Sequence, residues 1–181
     1  MKTLILSAHP NPEQSRANEA LLAAAAPHAT IVRLAHEYPD GAIDAAGEAA
    51  RVLAHDNLVL QFPLQWYAPP ALLKDWLDAV LTRMVYVHAD TEGRQLAGRK
   101  LLVALTAGAP EDAYRADGRN GFTLAQLLRP LEATARRCGM DWLPPFAVYD
   151  VREPSPDALA DAGARYAAAL AALAEDRALA A

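Results

Sequence analysis

The sequence predicts a doubly wound α/β fold, with five parallel strands in the order 2-1-3-4-5 and helices on both faces. Three observations predict it. Five short apolar runs, at 2–7, 30–34, 57–62, 100–105 and 141–148, recur along the chain. Alanine-rich or helically periodic segments separate them, and strands that alternate with helices give a parallel sheet covered on both sides. Proline, glycine and small polar residues stand at the junctions, where turns are needed.

The elements follow in order. Lys2 to Ser7 is an apolar strand that gives way to Ala8-His9-Pro10-Asn11-Pro12. Pro10 and Pro12 forbid a continuing strand and disfavour helix before them. Ser15 is a good N-cap, so a helix begins there and runs toward Pro27. Thr30 to Leu34 is the second strand, and Tyr38-Pro39-Asp40-Gly41 reads as a turn. Asp44 caps a helix over 45–54. Asn57 to Phe62 is the third strand, closed by Pro63. Leu72, Leu73, Trp76, Leu77, Val80 and Leu81 lie at helix spacing, which predicts a helix over 71–84. Lys100 to Leu105 is the fourth strand. A helix over 123–138 stops at Gly139, a natural residue for the position after a helix end. Asp141 to Val148 is a fifth extended segment, and an alanine-rich tail closes the chain.

The chain has 181 residues, 53% of them apolar, which suits one domain over 1–181. A chain of this size buries roughly 70% of the surface its unfolded form exposes, so it needs no disulfide or metal to fold. Its single cysteine, Cys138, excludes a disulfide scaffold. The net charge of −5 argues against a nucleic-acid partner. No apolar run reaches the roughly 18 residues of a membrane span. The opening residues are too short an apolar stretch for a secretory signal, and the expected compartment is the cytoplasm. Alanine makes up 42 of the 181 residues and concentrates in 17–29, 42–54, 157–172 and 174–181, which the excess marks as helices. It is read as a propensity effect alone.

In a sheet of this order, ligands sit at the carboxyl ends of strands where the order reverses. The loops after the first, third and fourth strands converge there, at 8–15, 63–69 and 106–115. The first leads into Ser15-Arg16-Ala17-Asn18. A helix N-terminus leaves backbone N–H groups unpaired, and a hydroxyl, an amide and a cation beside it make a phosphate site. The plainer alternative has Ser15 capping its helix and Asn18 in solvent. The second loop holds Pro63-Leu64-Gln65-Trp66-Tyr67-Ala68-Pro69-Pro70. Its prolines hold the backbone extended, with N–H and C=O groups presented to the edge of a flat heteroaromatic ring while the aromatics cover it. Alternatively Trp66 plugs the core. The third, Thr106-Ala107-Gly108-Ala109, is small enough for a ligand to approach the backbone. Tyr114 and Asn120 flank a polar stretch beyond it, where a tyrosine can hydrogen-bond a substrate carbonyl or simply face solvent.

Other chemistries lack their motifs. His9, His28, His36, His55 and His88 have no metal-ligand spacing, so no metal site is expected. Neither a phosphate-cradling G-x-x-x-x-G-K-[ST] loop, nor G-x-G-x-x-G, nor a G-x-S-x-G elbow occurs. Cys138 reads as a buried thiol, and Arg136-Arg137 as a solvated helix end.

Ser7-Ala8-His9-Pro10, Ser15 to Asn18, Pro63 to Tyr67, Pro70-Ala71-Leu72-Leu73-Lys74 and Leu143-Pro144-Pro145-Phe146 together resemble the flavodoxin-like NAD(P)H:quinone oxidoreductase family. The likeness is strongest to its small bacterial branch, which includes the ancillary protein of the glutathione-regulated potassium-efflux system. It covers about residues 2–150. The resemblance implies that His9 and Ser15, Arg16, Ala17 and Asn18 hold the flavin phosphate. It implies that Leu64, Gln65, Trp66 and Tyr67 run along the isoalloxazine, and that Thr106, Ala107, Gly108 and Ala109 form the loop that commonly reads T-T-G-G. Here that loop reads T-A-G-A. Tyr114 falls at the family's substrate-pocket tyrosine, and Asn120 stands where larger relatives place a histidine. Tyr86 to Asp90 departs from the usual glycine-rich loop.

The resemblance further implies FMN, with FAD the other candidate, and NADH or NADPH as hydride donor to a quinone in a ping-pong reaction. Backbone N–H groups at 65–67 and 106–108 then stabilise charge on the reduced ring. Homodimers are usual in the family. Trp76 reads as a core residue or an interface one, and with the 71–84 helix face it is the candidate for that contact. Two rival readings stand beside this one. One is a flavodoxin-type electron carrier. The other is a regulatory ancillary subunit, held to the inner membrane face by a potassium-efflux protein.

Overall fold

A computed structural model describes residues 1–175 of the chain. Its elements are β1 (Thr3–Ser7), α1 (Arg16–Ala25), β2 (Thr30–Arg33), α2 (Leu34–Glu37), α3 (Ala45–Leu53), β3 (Asn57–Pro63), α4 (Ala71–Trp76), β4 (Lys100–Thr106), α5 (Leu124–Leu127), α6 (Arg129–Arg137), β5 (Asp141–Trp142), β6 (Phe146–Val148) and α7 (Pro156–Glu175). The strands form a parallel sheet of order β2-β1-β3-β4-β5, with β6 also paired to β4. The expected order is therefore present, and the fifth segment is divided. Leu143-Pro144-Pro145 interrupts it, because proline has no N–H to give the ladder. The two pieces keep their places against Lys100–Leu101 and Ala104–Thr106.

Alternation along the strands sends side chains to two cores. Leu4, Leu6, Leu58, Leu60, Leu101 and Val103 face one side, under α3, α4 and α6. Ile5, Val59, Leu102 and Ala104 face the other, under α1 and α7. Each large buried side chain contributes about 1.5–3 kcal/mol of transfer free energy. Glu48 is fully buried on the first side. It accepts from the Tyr38 hydroxyl and the Trp76 indole N–H, both at 2.8 Å, and pairs with Arg51 at 2.7 Å. Burial and the neighbouring carboxylate push the Tyr38 hydroxyl pKa well above its ordinary value.

Trp76 has no exposed surface and is a core residue of its own chain. Of its two expected roles, core residue or dimer contact, the burial bears out the first and excludes the second. The helix it lies on continues past α4 in a wider, π-helical winding over Leu77–Leu81 and Arg83–Val87. The helix expected over 123–138 is two pieces, α5 and α6, with Pro130 in the first turn of the second. Gly139, at φ 71°, follows its end as expected. Most of the expected 174–181 helix lies outside the described residues. Among the described residues no helix is long and apolar enough to cross a membrane.

The alanines do more than favour helix. α1 and α7 pack side by side. A Cβ built on Gly163 of α7 would stand 3.2 Å from the Ala24 Cβ and 3.7 Å from the Ala20 carbonyl oxygen of α1. Small residues on both helices permit that approach. The Asn57 side chain donates to the Leu173 carbonyl at 3.3 Å, and the chain's N-terminal ammonium to the Ala174 carbonyl at 3.2 Å. These contacts tie α7 to the strand ends remote from the cavity described below.

Candidate active site

The loops after β1, β3 and β4 are stitched together by backbone hydrogen bonds. The Ala8 N–H donates to the Gln61 carbonyl at 2.9 Å, and Leu64 N–H to the Thr106 carbonyl at 2.8 Å. Ser15 caps α1, its hydroxyl accepting from the Asn18 N–H at 3.3 Å. The first N–H groups of a helix have no intrahelical partner, and here those residues border a cavity of about 180 Å³. His9, Ser15, Arg16, Ala17, Asn18, Leu64, Thr106 and Gly108 all line it. So the sequence brought eight of its expected residues to one place.

Asn18 is buried, not solvated. Its Nδ2 donates to Thr106 Oγ1 at 2.9 Å, while its main-chain carbonyl accepts from Gln61 Nε2 at 3.1 Å. The Asn18 Oδ1 and Gln61 Oε1 atoms are buried without a partner. Exchanging the two ends of the Asn18 amide would let the Thr106 hydroxyl donate to Oδ1 and leave an NH₂ for an incoming acceptor. Among the described residues no carboxylate lines the cavity, whereas Arg16, Arg152 and His9 do. Burial lowers the His9 pKa below its ordinary 6.5, opposed in part by the charge of Glu19. The Asn11 N–H donates to His9 Nδ1 at 3.1 Å, so the neutral ring carries its proton on Nε2. Backbone N–H groups, an amide, cations and the absence of carboxylate suit a phosphate dianion.

The second loop differs from expectation. Trp66 and Tyr67 are both left-handed, at φ 48° and 65°, in a tight turn closed by reciprocal Gln65–Ala68 hydrogen bonds of 3.0 Å. Two-residue turns of this kind require positive φ at both central positions, where glycine and asparagine are usual. Trp66 is 94% exposed, which overturns the core-plug alternative. The Gln65 N–H is occupied by the turn, and the Ala107 N–H by the Val148 carbonyl at 2.8 Å. Neither is available to a ring edge. Gln65, Trp66 and Tyr67 do not line the cavity; Ala107 and Ala109 are buried behind it.

Tyr114 is half-buried and packs obliquely on Tyr149, with ring centroids 5.5 Å apart. Burial raises its pKa, so its hydroxyl keeps its proton at neutral pH. Asn120 Oδ1 accepts from the Tyr67 hydroxyl at 3.4 Å, which joins the second loop to the polar stretch. Cys138 is buried, and burial raises its thiol pKa. Arg137 is not simply solvated: its guanidinium lies 4.8 Å from the Tyr86 ring centroid, and its Nε donates to that hydroxyl. Gln14, Pro63, Val151, Arg152 and Pro154 complete the cavity and were missed from sequence. Gln14 and Pro63 adjoin residues that were found. The others arrive with the turn after β6, which carried no recognisable signal.

A sheet of this order with a phosphate-type cradle at its reversal defines a flavodoxin-like protein. The chain belongs to that family: a profile described as a flavodoxin-like fold matches residues 1–171. It is 44% identical over 167 residues to the glutathione-regulated potassium-efflux system ancillary protein KefG of Cronobacter sakazakii, covering 91% of this chain and 90% of that protein. Among solved structures it resembles general stress protein 14 of Treponema denticola in complex with FMN. That match has TM-score 0.88 and 41% identity over 96% of this chain and 99% of the other. It also resembles an NADPH-quinone reductase from P. pentosaceus, with TM-score 0.81 and 29% identity over 94% of this chain and 98% of the other.

Proposed function

We propose that the chain is an FMN-dependent NAD(P)H:quinone oxidoreductase. The observation that carries this reading is the carboxylate-free cradle where α1 begins, closed by the Asn18–Thr106 hydrogen bond across two strand ends. The FMN complex and the quinone reductase among its structural relatives support it.

Bound FMN supplies a ring that accepts hydride from NADH or NADPH and returns two electrons to a quinone, so that NAD(P)H, quinone and one proton become NAD(P)⁺ and hydroquinone. The chain's own residues hold and shape. Ser15, Arg16, Ala17 and Asn18 bind the phosphate, with the His9 Nε2–H as a further donor. The Trp66–Tyr67 turn offers two aromatic surfaces to the flat ligands that exchange in a ping-pong cycle. The Tyr114 hydroxyl, protonated at neutral pH, donates to the acceptor oxygen, and Asn120 steadies the opposing Tyr67. The enzyme works in the cytoplasm as a homodimer.

The test is direct. Purified protein should be yellow, and the released chromophore should have the mass of FMN. NADH or NADPH with a soluble quinone should then give steady turnover, which a flavodoxin-type carrier would not sustain. A folded preparation that is colourless and refuses added FMN would end this reading.

The likeness to KefG favours a second role, as an ancillary subunit of a potassium-efflux membrane protein. Tyr86, although it carries Arg137, and Val87 are exposed outside the cavity, on a surface open to such a partner. Co-purification with that membrane protein, abolished by charged substitutions at both positions, is its test.

A further inference from the structure

Most arginines of this acidic chain are engaged. Arg33, Arg51, Arg83, Arg94, Arg115, Arg129, Arg136 and Arg165 pair with carboxylates, Arg99 binds main-chain carbonyls and Arg137 rests on Tyr86. Among the described residues, Arg16, Arg119 and Arg152 have no such partner. Two of these three border the same cavity. One, Arg16, stands at the start of α1, where the phosphate reading already places it. The other comes from the opposite end of the sequence.

Arg152 lies in the turn that follows β6. Past β6 the chain takes a left-handed residue at Asp150, φ 55°. The turn is then fastened to the loop after β4 by two main-chain hydrogen bonds, Asp150 N–H to Ala109 at 3.1 Å and Val151 N–H to Ala107 at 3.2 Å. The side chain of Arg152 lies across Gly108. A Cβ on Gly108 would stand 3.1 Å from Arg152 Nε and 3.4 Å from its Cγ. The glycine therefore leaves room for an arginine stem as well as for a ligand. The charge also reaches Tyr114, whose pKa it draws down against the effect of burial.

We propose that Arg152 is the second cation of the phosphate site, clamping the flavin phosphate from the β6 turn while Arg16 and the α1 N-terminus hold it from their own side. This rests on the flavin reading above and extends it to a residue outside the first loop. A guanidinium matches a phosphate with two parallel N–H donors, which a backbone cradle alone does not provide. The clamp makes the site selective for a phosphomonoester and ties cofactor retention to the turn after β6.

The experiment compares FMN with riboflavin, which lacks the phosphate, on apoprotein prepared from wild type, Arg152→Ala and Arg152→Lys. Arg152→Ala should weaken FMN by about 10- to 100-fold, the loss of a charged hydrogen-bonding group. Riboflavin affinity should change less than about twofold. Arg152→Lys, which keeps charge without the fork, should fall between. The side chain is exposed, so circular dichroism and melting temperature of the variants should match wild type. Equal effects on FMN and riboflavin, or none on FMN, would overturn the assignment. So would an unchanged FMN affinity with a shifted NADPH-to-NADH preference, which would place the contact on the hydride donor's phosphate. A wild type that binds neither flavin fails at the earlier step and takes this proposal with it.

Discussion

Asn18 Nδ2 donates to Thr106 Oγ1 at 2.9 Å, joining residues 88 positions apart in the sequence. One belongs to the first turn of α1 and the other closes β4, so this contact holds two walls of the cavity in register. Removing Ser15 and Asn18 side chains together, as Ser15→Ala with Asn18→Ala, should cost about 1–3 kcal/mol of stability. The double variant should stay folded by circular dichroism but lose its visible absorbance on gel filtration. Full retention of colour would refute the phosphate assignment.

The Trp66–Tyr67 turn stores strain. A left-handed non-glycine residue costs roughly 1–2 kcal/mol, and asparagine bears that conformation best. Trp66→Asn should therefore raise stability by up to about 1 kcal/mol, read from the urea midpoint. Quinone turnover should fall, because the aromatic surface is gone. Higher stability with unchanged turnover would show that Trp66 has no part in ligand exchange.

Trp76 serves the fold. Trp76→Phe leaves Glu48 Oε2 without its indole donor inside the core, a loss of about 1–3 kcal/mol. Sedimentation should report the same oligomeric state as wild type. A change of assembly at unchanged stability would contradict the burial of this side chain.

His9 gives the apoprotein a pH dependence with a fixed sign. Its pKa is lowered on folding, chiefly by burial, from the ordinary 6.5. As pH falls through that value the unfolded chain takes up the proton first, so stability declines and reaches its floor once pH is below the folded pKa. Denaturation of wild type and His9→Gln over pH 5–8 should show a slope in the first that flattens in the second. A steeper slope in the variant would reverse the sign assigned here.

Much of the architecture was legible because it rests on local rules. Ser15 and Asp44 cap their helices as their side chains dictate, and strand alternation sorts Leu4 and Leu6 from Ile5. The first-loop residues were found because a cap and its neighbours are contiguous. What escaped is what only tertiary structure assembles. Arg152 meets Gly108 across a turn whose left-handed Asp150 no composition betrays. Trp76 could be read as core or as interface because its partner, Glu48, lies on another helix. Trp66 and Tyr67 broke the rule that left-handed turns select glycine or asparagine, so the loop's prolines suggested an open backbone where a closed turn stands. Pro144 and Pro145 were visible in the sequence, yet their effect on the last strand depends on the ladder they interrupt.

The Gly163–Ala24 contact reaches further than the packing of two helices. α1 carries the cavity-lining residues at its leading end and packs against α7, which lines none of that cavity. A single methyl group added at Gly163 would stand 3.2 Å from the Ala24 Cβ, so the two helices must part by a few tenths of an ångström to admit it.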